Sequence, residues 1–291
     1  MTQHDISLGK ATVISTALEA VLYGFSLMMF IETLWVLLRR ARKDISVPMV
    51  SAAAMLFTFS TIHIGINIYY SIQGLVHNVY PIIDQNSSEL PFILKLVIYW
   101  SQTITGDAII IYRCYVVWQS FYVILLPITM LCGVGVTGAI SVWAYATSSP
   151  ATLGWMLAFY ILTLSANLLY TSLLSFGIWR ANRTIQKADV YSAFSLIPII
   201  FVIIDAGAIY TIALLASLLC LVNDQNGVLI TLDLAVPIIS ITFYMVIVRV
   251  GMPKTSGVMG ADGTGTTAFT TVLEPGRDDG INRMADAQFI A

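Results

Sequence analysis

The chain has 291 residues, 58% of them hydrophobic and only 10% charged, with a formal net charge of −2 and a mean hydropathy of +0.84. A soluble globular domain carries about 25% charged residues, so this chain cannot keep its own surface wet and lipid must solvate much of it. No basic domain is present, which removes nucleic acid as a partner and leaves the lipid bilayer as the expected one.

Residues 1–13, MTQHDISLGKATV, form a short polar N-terminal tail with no small-residue cleavage site close behind it. The first apolar stretch therefore reads as a retained helix that also targets the chain, not as a cleaved signal. A spanning helix needs about 20 mostly apolar residues. Seven stretches meet that need: 14–38, 48–76, 91–118, 122–146, 152–179, 192–220 and 227–249. Apolar residues run continuously in each, without the alternation of a strand. Helices suit a bilayer because their backbone hydrogen bonds are internal. The expected fold is an all-α bundle of seven transmembrane helices over residues 14–250, followed by a tail at 251–291. That tail is rich in Gly, Thr and Asp, buries too little apolar area to fold alone, and is expected to be disordered. Cys114, Cys132 and Cys220 lie in or at the ends of apolar runs, as small packing residues do.

The basic residues fall in alternate gaps. Arg39, Arg40, Arg42 and Lys43 follow the first stretch, Arg113 ends the third, Arg180, Arg183 and Lys187 follow the fifth, and Arg249 and Lys254 close the seventh. The opposite side holds only Lys10 and Lys95. Positive residues prefer the cytoplasm, so the N-terminus is expected outside and the C-terminus inside. Asn86, in the sequon Asn86-Ser87-Ser88, then lies in an external loop and is a glycosylation candidate, whereas Asn182 lies inside and stays unmodified. The basic group Arg39, Arg40, Arg42, Lys43, Arg113, Arg180, Arg183 and Lys187 would meet the cytoplasmic boundary or a partner there.

Ionisable residues inside a bilayer are rare and usually face the bundle interior. Here Glu19 and Glu32 lie in the first stretch, Asp107 and Arg113 in the third, Asp205 in the sixth and Asp233 in the seventh; His63, Asn67 and Asn167 add uncharged polarity. A carboxylate at mid-depth costs about 2.5–3.5 kcal/mol, so Asp107 and Asp205 need pairing, hydration or protonation. The expected polar interior consists of Asp107, Asp205, Asp233, His63 and Asn167. It serves either a ligand or helix packing, since buried polar pairs also join helices at about 0.6 kcal/mol each. Pro127, Pro198 and Pro237 each remove a backbone donor and are expected to bend their helices.

Several chemistries lack their residues. A retinal Schiff base needs a lysine deep in a helix, and Lys95 lies near an outer end. A zinc hydrolase usually needs several converging histidines, and of His4, His63 and His77 only His63 is deep. No phosphate-binding Gly loop and no Gly-x-Ser-x-Gly elbow is present. No catalytic residue, metal or cofactor is therefore expected. The third stretch ends in Tyr112-Arg113-Cys114-Tyr115, without the acidic neighbour of the Asp-Arg-Tyr element of rhodopsin-like receptors.

Three segments carry a resemblance. Gly106-Asp107-Ala108-Ile109-Ile110-Ile111-Tyr112-Arg113-Cys114-Tyr115-Val116-Val117-Trp118 resembles the third-span signature of an uncharacterised seven-transmembrane family abundant in mushroom-forming basidiomycete fungi. Asp205-Ala206-Gly207-Ala208-Ile209-Tyr210-Thr211 resembles that family's acidic-x-Gly-x-x-Tyr element, with Asp205-Ala206 where Glu-Ser is more usual. Phe243 to Gly251 resembles its terminal motif. The resemblance implies a fungal integral membrane protein of seven helices and no particular activity. Together with the topology it leads to the expectation of a receptor-like bundle in the plasma membrane. Such a bundle senses a small molecule from outside and meets a signalling partner inside. A proton-coupled secondary transporter and a non-catalytic membrane scaffold remain alternatives.

Overall fold

The computed structural model describes residues 8–40, 47–77, 89–188, 197–223 and 227–251. Their regular elements are seven helices: α1 (Leu8–Arg40), α2 (Val47–His77), α3 (Glu89–Trp118), α4 (Phe121–Ala146), α5 (Thr152–Ala188), α6 (Ile197–Val222) and α7 (Gly227–Gly251). Six are long and apolar enough to cross a membrane, and α3 is the exception. The apolar helical bundle is compatible with an integral membrane protein. Arg42, Lys43, Asn86, residues 1–7 and residues 252–291 lie outside the described residues.

The helices agree with the apolar stretches in number and order, and differ at their ends. Helix α1 starts at Leu8, inside the stretch read as a tail, and α5 continues to Ala188, past the expected stop at 179. Only Gln119 and Ser120 separate α3 from α4. Gln119 turns the chain with φ 48°, and Ser148 does the same after α4 with φ 49°; both are left-handed positions. Pro198 falls in the first turn of the described α6, where a missing N–H interrupts no bond within the described helix. Pro127 and Pro237 do lie within α4 and α7.

Cross-helix contacts fix the register. Phe30 of α1 stacks on Phe57 of α2 with ring centroids 4.4 Å apart, while Thr16 bonds Ser71 at 2.7 Å, so these helices run antiparallel. Tyr170 of α5 donates to the Pro127 carbonyl of α4 at 3.2 Å. Asn167 of α5 donates to Thr211 Oγ1 at 2.9 Å and to the Gly207 carbonyl at 3.1 Å in α6. A Cβ on Gly207 would lie 2.6 Å from Thr171 Oγ1, and one on Gly138 would run into the Trp100 ring. Close backbone approach through small residues is how helices associate where lipid removes the hydrophobic drive.

The helices close into a ring in chain order, with α1 packed against both α2 and α7. Helices α3 and α7 are the inner ones: α3 touches α2, α4, α5 and α7, and α7 touches α1, α2, α3 and α6. From Phe92 to Trp118 only Leu94 and Ala108 are exposed. This burial explains why α3 tolerates Lys95, Asp107 and Arg113: its neighbours on nearly every side are protein, not lipid.

Candidate functional site

The densest polar group lies where α1, α2, α3 and α7 meet. Glu19 is 1% exposed, His63 0%, Asn67 2%, Lys95 8% and Asp233 1%. His63 and Asn67 are four residues apart on α2, one helical turn, so they share a face. Both address Glu19 of α1. His63 Nδ1 lies 2.7 Å from Glu19 Oε1, and Asn67 Nδ2 donates to Glu19 Oε2. A carboxylate accepts, so Nδ1 carries the hydrogen of the ring. Nε2, on the far side, lies 3.9 Å from Asp233 Oδ1, beyond hydrogen-bond range. Asp233 Oδ1 pairs with Lys95 Nζ at 2.7 Å. The imidazole thus lies between two carboxylates, and the farther one, Asp233, pairs with the ammonium.

Position along each helix explains the convergence. Lys95 and Asp233 each lie six residues past the start of α3 and α7, about 9 Å at 1.5 Å per residue. Glu19 and Asn67 are a little deeper from the same end of the bundle. Four residues after Asp233 stands Pro237, which lacks the N–H that would bond the Asp233 carbonyl. One layer further in, Gln102 Nε2 faces the Val236 carbonyl at 2.7 Å, Ser240 Oγ at 2.8 Å and Ser60 Oγ at 3.2 Å. Ser60 and Ser240 also bond each other at 3.0 Å. This second layer ties α2, α3 and α7 below the charged group.

The expected polar interior is thereby divided. His63 and Asp233 come together. Asn167 does not join them; it bridges α5 to α6. Asp107 is buried at 3% exposure among Tyr99, Tyr170 and Tyr210, and its Oδ2 has no hydrogen-bond partner among the described residues. Asp205 corrects the expectation: it is exposed on α6 and lines no interior. Residues Asp205, Ile204, Ala208 and Ile209 share that outward face.

The basic residues also sort. Arg113 is buried, and its guanidinium sits 5.7 Å above the Phe243 ring of α7, so it turns into the bundle and not out to its boundary. Arg180 and Arg183 are exposed. Their guanidiniums lie 5.8 Å and 4.0 Å from the Trp118 and Trp179 rings, and Trp118 Nε1 donates to the Leu173 carbonyl at 3.1 Å. Arg39 and Arg40 end α1, and Lys187 lies in the last turn of α5. Asn182 is 3% exposed, which leaves its sequon no room for a glycan.

Sequence reasoning missed Lys95, Glu19 and Gln102 as site residues. Equal depth was the available signal: Lys95 and Asp233 lie equally far from helix ends on the same side. The single deep histidine also argued against a metal. Yet one ligand atom from each of Glu19, His63 and Asp233 lies within 4.8 Å of the others, so carboxylates supply what further histidines do not. Compared with protein-family models, curated proteins and solved structures, the chain finds no match.

Proposed function

We propose that the chain crosses the membrane seven times, with its N-terminus outside and its C-terminus in the cytoplasm, as a receptor-like bundle of the plasma membrane. It senses a small molecule at the outer half of the bundle and meets a signalling partner through its basic inner ends. We place it, on its three motifs, with the seven-span family of mushroom-forming fungi, and assign it no catalytic activity. Helix α3 completes the seven: with 30 residues it is about 45 Å long, enough to cross, and its charges are covered by neighbouring helices.

The observation that carries the reading is the charged group Glu19, His63, Lys95 and Asp233. It joins α1 to α2 by the His63–Glu19 hydrogen bond and α3 to α7 by the Lys95–Asp233 ion pair, near one end. A ligand that pairs with either carboxylate or with Lys95 alters the contacts between α3 and α7, and differential contact is what moves a two-state bundle. The test is a screen of small charged and zwitterionic compounds against purified protein, read by thermal stability and by a fluorophore at the inner end of α6. The reading expects compounds that shift both signals in wild type and not in Asp233→Asn. Compounds that shift neither signal overturn it.

One feature favours the transporter alternative. His63 sits between two carboxylates, an arrangement suited to carrying a proton. Substrate uptake into vesicles that needs a proton gradient and is lost in His63→Ala would establish that reading instead. A scaffold predicts that the same substitution changes stability alone.

A further inference from the structure

We propose that His63 and Asp233, with Glu19 behind the ring, form a site for a divalent cation of the zinc type, which Lys95 fills with its ammonium until metal displaces it. The inference does not rest on the receptor reading, because it concerns binding alone.

Three observations lead there. The first is donor chemistry: an imidazole and two carboxylates from three helices lie within 4.8 Å of one another, with Asp233 on the open Nε2 side to share the ion and Glu19 on the Nδ1 side. The second is orphaned polarity. His63 Nε2 is buried without a hydrogen-bond partner among the described residues. It faces Asp233 Oδ1 across 3.9 Å. Zinc–nitrogen bonds are about 2.0–2.1 Å and zinc–carboxylate bonds about 2.0–2.2 Å at tetrahedral angles, which sets the two atoms about 3.4 Å apart, so binding draws them together by about 0.5 Å. The third is the arrangement behind the ring. A metal-bound histidine usually donates its other N–H to a carboxylate, which fixes the tautomer and the ring plane. Glu19 does this at 2.7 Å and is itself held by Asn67. Asp233 and water from the outer side complete the coordination.

Charge balance sets the role of Lys95. With a neutral ring, the group holds two negative charges and one positive in a buried place, where an unmatched charge is costly. A divalent ion matches both carboxylates by itself, and the ammonium then becomes surplus. Lys95 lies near the start of α3, and its stem is long enough to carry the charge out to water. Metal entry is thus an exchange of one cation for another at Asp233. A proton on His63 would also balance the group, with Lys95 in place, and is the competing occupant that the experiment separates.

The experiment is equilibrium dialysis of the full chain in detergent against zinc ion, with the metal counted by mass spectrometry. Wild type is expected to hold one zinc per chain, and so is the double variant His4→Ala/His77→Ala, which removes the other histidines. His63→Ala is expected to hold none. Lys95→Gln is the diagnostic variant: without the competing ammonium it should bind roughly tenfold tighter or more, and zinc should raise its thermal stability more than that of wild type. Zinc held equally by His63→Ala overturns the site. Binding that Lys95→Gln leaves unchanged or weakens overturns the exchange. Absence of zinc from both wild type and Lys95→Gln overturns the proposal and leaves the proton as occupant. Should Lys95→Gln not fold, the comparison of wild type with His63→Ala decides alone.

Discussion

Lys95 and Asp233 should be strongly coupled, and unequally sensitive to loss of the partner. Their charged atoms are 2.7 Å apart, with the side chains 10% and 2% exposed. At an effective dielectric of about 20, Coulomb attraction at that distance is about 6 kcal/mol; desolvation of both ions offsets much of it. Removing one member of a buried pair typically costs about 3–5 kcal/mol, because the other is left unmatched. Here the two remainders differ. Asp233→Asn leaves an ammonium on a long stem about 9 Å from the helix start, and it can reach water. Lys95→Gln leaves Asp233 and Glu19 as two carboxylates around His63, on short side chains that cannot move out. Lys95→Gln should therefore cost about 3–5 kcal/mol and Asp233→Asn about 1–3 kcal/mol less. The double variant should cost less than the sum by about 2 kcal/mol. Reversible unfolding in mixed micelles, run in metal-free buffer as a double-mutant cycle, measures all three. Additive single losses, or a larger loss in Asp233→Asn than in Lys95→Gln, would refute the reasoning.

Other substitutions test the remaining placements. Gly138→Leu should lower unfolding stability by at least about 2 kcal/mol, since its side chain must displace the Trp100 ring. Gly24→Ala, with nothing within 4 Å of the added carbon, should be neutral or stabilising in the same assay by up to about 1 kcal/mol. Asp205→Leu should leave the purified bundle's melting temperature unchanged or higher and improve membrane insertion by about 3 kcal/mol, because Asp205 faces outward on α6; a large melting loss would mean that it lies inside. Asn167→Ala should loosen α5 from α6 and cost about 1–2 kcal/mol, read as faster hydrogen exchange along both helices. In glycosylation mapping, modification at Asn86 or an added N-terminal sequon, with none at a sequon added to the C-terminal tail, is the result expected of an N-outside chain; buried Asn182 stays unmodified in either orientation.

The helix count was legible because a bilayer demands long apolar runs and the chain supplies them with few interruptions. Orientation was readable only as an expectation from the basic residues, since the bundle has the same internal contacts either way up. The site was half legible. Asp233 and His63 stood out as polar residues in apolar surroundings, but depth alone does not say which helix faces which. Asp205 shows the limit. By sequence it reads as mid-span like Asp107, and its outward direction follows from how α6 packs on α5, through Asn167, Thr211 and the close approach at Gly207. Lys95 was misjudged for the opposite reason: closeness to an end suggested a solvated side chain, whereas α3 is enclosed there by α2 and α7.

The position of α3 permits its composition as well. Helix α7 is as enclosed as α3 and is still apolar enough to cross a membrane, so enclosure permits a polar helix without requiring one. A helix wrapped by four neighbours gains little from further hydrocarbon on its surface, and each neighbour offers it groups to bond. Gln102 reaches α2 and α7, Lys95 reaches α7, Arg113 lies against Phe243, and Trp118 reaches α5. These contacts replace the uniform apolar face that lipid would demand, and they are also what a ligand or ion near Asp233 must disturb. Placing charge in α3 follows from one requirement, that polar groups go where protein surrounds them; Glu32 on α1 and Asp205 on α6, both exposed, depart from it.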